Sequence, residues 1–303
     1  MSNDPSYRVE AINYASGVNE LRAVRETVFV QEQQVPIAEE WDALDPLCWH
    51  VIARDPAGQP IGTGRLTPDH KLGRMAVLAG WRGRGVGDAL LRALVDLARA
   101  QQWPSLSLNA QVSAESFYAR HGFIPFGPRF HEAGIEHQAM HRVLDGPTPV
   151  QDAAGGIAAI IGTSSQARRK LWIYSRELDP GLLDSIAALE ALRRFATGVR
   201  GAEIHVLLQD AAAPQRGVMP LLALAQRLPS VFVFREVREP VDRAYASAFI
   251  ANDLGGYYFR PLGNRFEGEA SVDYPGRARQ LRDSFDRVWE RARPCVEFRA
   301  LGI

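Results

Sequence analysis

The chain has 303 residues, with 35 Lys plus Arg against 35 Asp plus Glu and a formal net charge of zero. Neutrality gives no electrostatic footprint for nucleic acid or an anionic membrane, and 46% hydrophobic content excludes a disordered chain. Two cysteines, Cys48 and Cys295, exclude a disulfide framework, and the length predicts two domains.

Residues 7–14 read as a strand and 18–33 as a helix, with Leu21, Val24, Val28 and Phe29 at helical spacing. Segments 48–54 and 60–66 flank the turn Asp55-Pro56-Ala57-Gly58 and read as a hairpin; 71–78 reads as a further strand. A glycine-rich turn then leads into a helix over about 85–102, whose stripe is Val86, Ala89, Leu90, Ala93, Leu94 and Leu97. A strand at 105–110, a short helix around 113–122 with Gly122 as its cap, and strands near 123–126 and 136–143 complete the first half. Residues 146–156, rich in Pro, Gly and small side chains, read as a linker between a domain over 1–145 and another over 157–303. In the second half we expect a helix or strand at 168–175, a helix over 182–197, strands at 203–208 and 228–237, a hairpin over 248–260 and a final helix over 276–292. Alternation of helices and strands gives an α/β fold class throughout. The run Ala153–Gly162 is too short and glycine-rich to span a bilayer.

The chemistry concentrates in residues 72–98. Gly83, Gly85 and Gly87 stand between a strand and a helix, where glycine lets backbone N–H groups turn inward. The helix N-terminus adds partial positive charge, and Arg82 and Arg84 add full charges, so the turn suits a pyrophosphate. Asp88 replaces the last glycine of the dinucleotide fingerprint, and no Gly-Lys-Ser/Thr follows.

The pattern Arg82-x-x-Gly85-x-Gly87, after Gly73-Arg74-Met75-Ala76-Val77-Leu78, resembles the acetyl-coenzyme A loop of the GNAT N-acetyltransferase superfamily. The stretch 105–127, with Phe117-Tyr118 and Gly122-Phe123, resembles the second signature of that family. Segments 21–36, 39–53 and 130–142 are similar to the ElaA-like branch. The resemblance covers residues 7–143 and implies a mixed central sheet with helices on both faces. It implies acetyl-coenzyme A as acetyl donor, its pyrophosphate on the backbone of Gly83, Arg84, Gly85, Val86, Gly87 and Asp88 beside Arg82. Met75, Ala76 and Val77 would splay from the strand at 105–110 and bond the pantetheine arm, with Asn109 and Gln111 available to cofactor amide or substrate. It further implies direct attack by a primary amine, backbone polarisation of the acyl carbonyl, and Tyr118 as the acid that protonates the leaving thiolate. Phe117 beside it reads as core. Candidates for the proton path from the amine are Glu32, Asp42, Asp45, His50, Glu132 and His137, of which Glu132 and His137 fall in the branch-like late motif. Arg25 and Glu32 are candidates for the acceptor pocket.

No metal is expected. Cys48 and His50 lack a second ligand pair, and His137 and His141 lack the glutamate of a zinc helix.

Residues 157–294 resemble half of a phospholipase D-like domain, a family whose chemistry needs two histidine-lysine motifs. His205 and Lys170 are the one histidine and one lysine here, and Leu207 and Ala212 occupy the motif positions after His205. This half is therefore expected to be an accessory domain without phosphodiesterase activity. Its cluster Arg168-Arg169-Lys170 reads as a solvated face. Acceptors compatible with the sequence are an amine-bearing small molecule, a peptide or a protein; nucleic acid is disfavoured, no membrane segment is expected and a homodimer is compatible. The expected location is cytoplasmic. The competing reading is a coenzyme A-binding sensor or scaffold whose second domain binds a partner.

Overall fold

The computed structural model describes residues 6–216 and 219–298. The chain divides into two compact units: Met1–Val112 with Pro128–Asp145, and Ser113–Gly127 with Gly146–Ile303.

The first unit contains β1 (Arg8–Ile12), α1 (Tyr14–Arg25), a π-helical segment Glu26–Glu32, α2 (Ile37–Glu40), β2 (Trp49–Arg54), β3 (Pro60–Leu66), β4 (Lys71–Val77), α3 (Val86–Ala100) and β5 (Ser105–Gln111). The chain then contributes α4 (Glu115–Arg120) and β6 (Ile124–Pro125) to the second unit, and returns as β7 (Phe130–Glu132) and β8 (Ile135–Val143). The sheet runs β1-β2-β3-β4-β5-β8, with β7 on β8. Every pair is antiparallel except β4–β5.

Asn13 caps α1 by accepting the Ala15 N–H at 2.9 Å. The helix expected over 18–33 is regular only to Arg25. Beyond it the turn widens, and Gln33 N–H donates to the Val28 carbonyl five residues back. Val24, Val28 and Ala76 form a buried cluster there, with Phe29 and Leu78 packed on it. On the other face α3 buries Val86, Leu90, Leu91, Leu94, Val95 and Ala98. It lies close because β3 offers glycines: a Cβ on Gly62 would stand 2.9 Å from Leu90 Cδ1, and one on Gly64 2.8 Å from Leu94 Cδ1.

The second unit continues with β9 (Thr148–Val150), α5 (Ala153–Gln166), β10 (Lys170–Ser175), α6 (Ile186–Gly198), β11 (Glu203–Leu208), α7 (Pro220–Arg227), β12 (Phe232–Glu236), α8 (Pro240–Arg243), β13 (Ala248–Asn252), β14 (Tyr257–Arg260), β15 (Gly268–Ser271), α9 (Pro275–Arg291) and β16 (Arg293–Pro294). Its sheet runs β16-β12-β11-β10-β13-β14-β15-β9, with β12, β11 and β10 mutually parallel.

The stretch expected to be a linker, 146–156, is instead built into this unit. β9 adds to the sheet edge on β15, and Asp152 caps α5 by accepting the Gly155 N–H at 2.8 Å. The unrecognised helix α5 is buried on nearly every face, so it carries no amphipathic period. The expected strand over 228–237 is confined to Phe232–Glu236, and the helix expected from 182 begins after its Ser185 cap. His205, on β11, stacks on Trp289 with ring centroids 4.5 Å apart, and burial holds its pKa down at about 4. Among the described residues no helix is long and apolar enough to cross a membrane.

Glycine in α5 is a packing requirement. A Cβ on Gly162 would stand 2.8 Å from the Ala119 carbonyl oxygen, whereas one on Gly198 in α6 would meet nothing within 4 Å. Alanine normally stabilises a helix interior. In denaturant unfolding of the whole chain, Gly162→Ala is expected to lose about 1–3 kcal/mol. Gly198→Ala is expected to be neutral or to gain up to about 1 kcal/mol; equal effects would contradict the packing argument.

Candidate active site

The parallel pair β4–β5 is joined only at Lys71–Ser107 and Leu72–Leu108. Beyond Leu72 the two strands separate, and a bulge in β4 marks the point. Thr63 pairs with Ala76 and Arg65 with Gly73, so Gly64 alone faces both Arg74 and Met75. Arg74 takes a φ of +50° to make room for the extra residue. The expected splay of Met75, Ala76 and Val77 from β5 is thus present in the backbone.

The glycine turn follows. Gly83 and Gly85 have φ of +73° and +82°, in the left-handed region that glycine enters at least cost. Gly85 is the residue before α3, and no side chain caps that helix end. The first N–H groups of α3 therefore lack the usual capping oxygen, beside the positive end of the helix dipole. A cap-free, glycine-built N-terminus fits a pyrophosphate. Asp88 sits in the first turn, at the third helical position. Arg84 lies over the Trp81 ring at 5.1 Å. Arg82 is already engaged: its Nε donates to the Val77 carbonyl at 2.9 Å and its Nη2 bonds Glu32. One carbonyl of the splayed strand is thus occupied by the loop itself.

The end of the π-helical segment reaches both arms of the splay. Glu32 holds Arg82 after β4, and Gln33 Oε1 accepts from Gln111 Nε2 on β5 at 2.9 Å. Gln33 was not among the sequence candidates; its signal is only its position one residue after Glu32. Further along the β5 edge, Asn109 Nδ2 donates to Glu132 Oε2 at 3.2 Å. His137 on β8 stands directly opposite Gln111 in register. Its Nδ1 lies 2.8 Å from the Ile135 carbonyl. A carbonyl oxygen only accepts, so Nδ1–H donates in this contact. His137 is buried against Phe130, whereas Glu132 is exposed. The structure therefore brings Glu32, Gln33, Arg82, Asn109, Gln111, Glu132 and His137 to one end of the sheet.

The remaining sequence candidates fall elsewhere. Arg25, Asp42 and Asp45 belong to a buried ionic cluster. Arg25 bonds Glu40 through Nε, the Glu40 carbonyl through Nη2 at 2.7 Å and Asp45 through Nη1 at 2.9 Å. Arg65 bonds Asp45 and, at 2.6 Å, Asp42; Arg74 Nε lies 3.3 Å from Glu40. Burial raises the Glu40 pKa against the pull of Arg25 and Arg74. Burial also works on Asp42, but the Leu44 N–H and Arg65 outweigh it and hold that carboxyl below its usual range. His50 is 2% exposed, with Nε2 at 2.8 Å from the Asp45 carbonyl, and burial lowers its pKa. These groups have fixed partners, so their arrangement is that of a scaffold. Glu40, Arg65 and Arg74 were not singled out from sequence, because nothing local links residues 25, 45 and 65.

Tyr118 is carried by α4, in the second compact unit. Phe117 and Phe123 meet its ring edge-on, and among the described residues its hydroxyl makes no hydrogen bond. Burial raises its pKa above that of a free phenol.

A sheet with one parallel pair cut short by a bulge, next to an uncapped glycine turn, defines an acyl-transfer class of fold. Residues 26–144 match the family model of the GNAT acetyltransferase domain. Of the relatives, the uncharacterized N-acetyltransferase YjcF of Bacillus subtilis is 39% identical over 121 residues, which is 39% of this chain and 86% of that protein. The chain belongs to the GNAT N-acetyltransferase family, and it is an enzyme of that class. Among solved structures, Escherichia coli ElaA is 25% identical with a TM-score of 0.41, over 45% of this chain and 99% of its own. An acyl-CoA N-acyltransferase of Pseudomonas aeruginosa is 28% identical with a TM-score of 0.42, over 46% of this chain and all of its own. Residues 152–301 match a model described as a domain of unknown function, DUF7931, which adds no support to the phospholipase D-like resemblance.

The ionic cluster makes a direct prediction. Arg65→Met leaves Asp45 and Asp42 short of a partner inside the unit. It should destabilise the protein by about 3–5 kcal/mol in urea unfolding, as breaking one side of a buried pair does. An exposed pair such as Arg193–Glu190 should cost far less when broken the same way.

Proposed function

We propose that the protein transfers an acetyl group from acetyl-coenzyme A to a primary amine. The observation that carries this reading is the uncapped turn Gly83–Gly87 beside the splayed strands β4 and β5. The thioester supplies an activated acyl carbon. The N–H groups of Gly83, Arg84, Gly85, Val86, Gly87 and Asp88 hold the donor's pyrophosphate. Met75, Ala76 and Val77 orient its pantetheine arm by backbone bonds, and Asn109 helps from the facing strand.

The incoming ammonium must lose a proton before it attacks. His137 is suited to take it, because its Nδ1–H is engaged by the Ile135 carbonyl and Nε2 is left to accept. Glu132, tied to Asn109, adds negative charge that attracts a cationic amine. Tyr118 donates to the departing thiolate. Its raised pKa keeps the hydroxyl protonated across neutral and mildly alkaline pH. The second domain is accessory to this reaction and performs no phosphodiester chemistry.

The test follows free thiol release by the full chain with acetyl-coenzyme A and a panel of amines. Gly85→Val should raise the KM for the donor, since a β-branched residue cannot take the +82° φ. Tyr118→Phe should lower kcat by about 10²-fold or more with little change in donor KM. Because the Tyr118 pKa is shifted upward, the wild-type rate should show no loss from phenol ionisation up to about pH 10. His137→Gln should lower kcat with little change in donor KM. Saturable donor binding without turnover on any amine would favour a coenzyme A-binding sensor instead.

A further inference from the structure

The parallel register of β10 and β11 sets Lys170 beside Glu203. The residues just before those strands therefore meet at one edge of the second sheet. Before β10 they are Arg168 and Arg169, in the short connection from α5; before β11 they are Arg200 and Gly201, in the turn from α6. Gly201 has a φ of +72°, which closes that turn without a Cβ penalty. β13 runs antiparallel to β10 with Asn252 opposite Leu171, and so delivers Asp253 to the same edge. Arg168, Arg169, Arg200, Gly201 and Asp253 line an open cleft of about 550 Å³.

The charges in this cleft do not balance one another. Some arginines elsewhere in the unit find acids: Arg194 meets Glu190, Arg260 meets Asp179, Arg277 meets Glu269 and Arg291 meets Asp242. Among the described residues, the guanidiniums of Arg168, Arg169 and Arg200 have no such partner, and all three are exposed. Asp253 is the acid in the cleft, and its Oδ1 accepts the backbone N–H of Arg168 at 2.9 Å. Lys170 next door is paired with Glu203 at 3.3 Å. Three guanidiniums thus surround one carboxylate that is already engaged. Their mutual repulsion is relieved by an anion, and the planar guanidinium fork matches phosphate oxygens.

We propose that this cleft binds a compact phosphate-bearing anion. Its volume lies in the range of small-molecule sites. Residues after 148 hold 21 basic against 18 acidic side chains, so no extended positive field accompanies the cleft. A nucleic acid backbone would need such a field. The lining has no aromatic or large apolar wall, so recognition rests on the phosphate rather than on the body that carries it.

Calorimetric titration of pyrophosphate into the full chain tests this. The chain carries Gly85→Val, so that the glycine turn of the first unit does not contribute, and is compared with the same chain bearing Arg168→Gln and Arg200→Gln as well. The substituted side chains are exposed, and Arg168 keeps its backbone bond to Asp253, so melting temperatures should match. The expected result is one-to-one saturable binding, weakened at least about tenfold by the double substitution. Equal binding by both chains, or no saturable binding to the first, would overturn the proposal. An oligodeoxynucleotide bound more tightly than pyrophosphate through the same arginines would replace it with a nucleic-acid site.

Discussion

Arg25 and Asp45 are buried almost completely in the first unit, and they bond each other. Ionised groups are costly to bury unless each finds a partner. This pair is sustained by its neighbours. Glu40 takes the other side of Arg25, Arg65 takes the second oxygen of Asp45, and Asp42 and Arg74 close the rim. Three cations meet three anions drawn from α1, α2, the turn before β2, β3 and β4. Geometry is therefore dictated where the large apolar side chains Ile37, Leu44 and Leu47 are exposed and cannot dictate it. Because Arg25 is the last residue of α1, the cluster also fixes where the π-helical segment begins. That segment ends at Glu32, and Gln33 follows it. The contacts of Glu32 with Arg82 and of Gln33 with Gln111 thus inherit their positions from a buried ionic cluster.

The same cluster explains the bulge. Arg65 points toward Asp45 and Asp42, so its face of β3 is committed to the α1 side, while Gly62 and Gly64 are committed to α3. The partner strand must satisfy both faces and still carry Arg74 toward Glu40. It does so with one extra residue opposite Gly64 and a left-handed Arg74. A bulged strand bends, and β4 leaves β5 after two paired residues. The opening that a thioester arm requires is thus a by-product of where charges were buried.

What the sequence disclosed tracks the physical signals it carries. β2, β3, the β13–β14 hairpin and α3 were legible within a residue or two: the strands because turn residues bound short apolar runs that are buried on both faces, α3 because a 3.6-residue stripe marks its buried face. The glycine turn was legible because positive φ restricts residue choice at Gly83 and Gly85. α5 was not, since a helix buried all round has no polar face to set the period, and its Gly155, Gly156 and Gly162 mimic a loop. The Pro149-rich stretch hid β9 because proline is tolerated at a sheet edge. The roles of Asp42, Asp45 and His50 were equally hidden. An acid beside a histidine reads the same whether it meets substrate or a guanidinium 20 residues away.

The zero net charge is the sum of two different habits. In the first unit the decisive charges are buried and paired, and the polar groups at the splay are tied to one another in pairs such as Glu32–Arg82 and Asn109–Glu132. In the second unit the parallel strands β10, β11 and β12 are mainly apolar, and charge sits at their ends and in the connections. Carboxylates on α6, α8 and the β14–β15 hairpin pair with Arg193, Arg194, Arg265, Arg277 and Arg291 there. The connections entering β10 and β11 are short and hold arginine three times and no acid; Asp253 comes from the turn after β13. Short connections cannot swing a distant carboxylate into place, so that edge keeps its positive charge for whatever approaches from solvent.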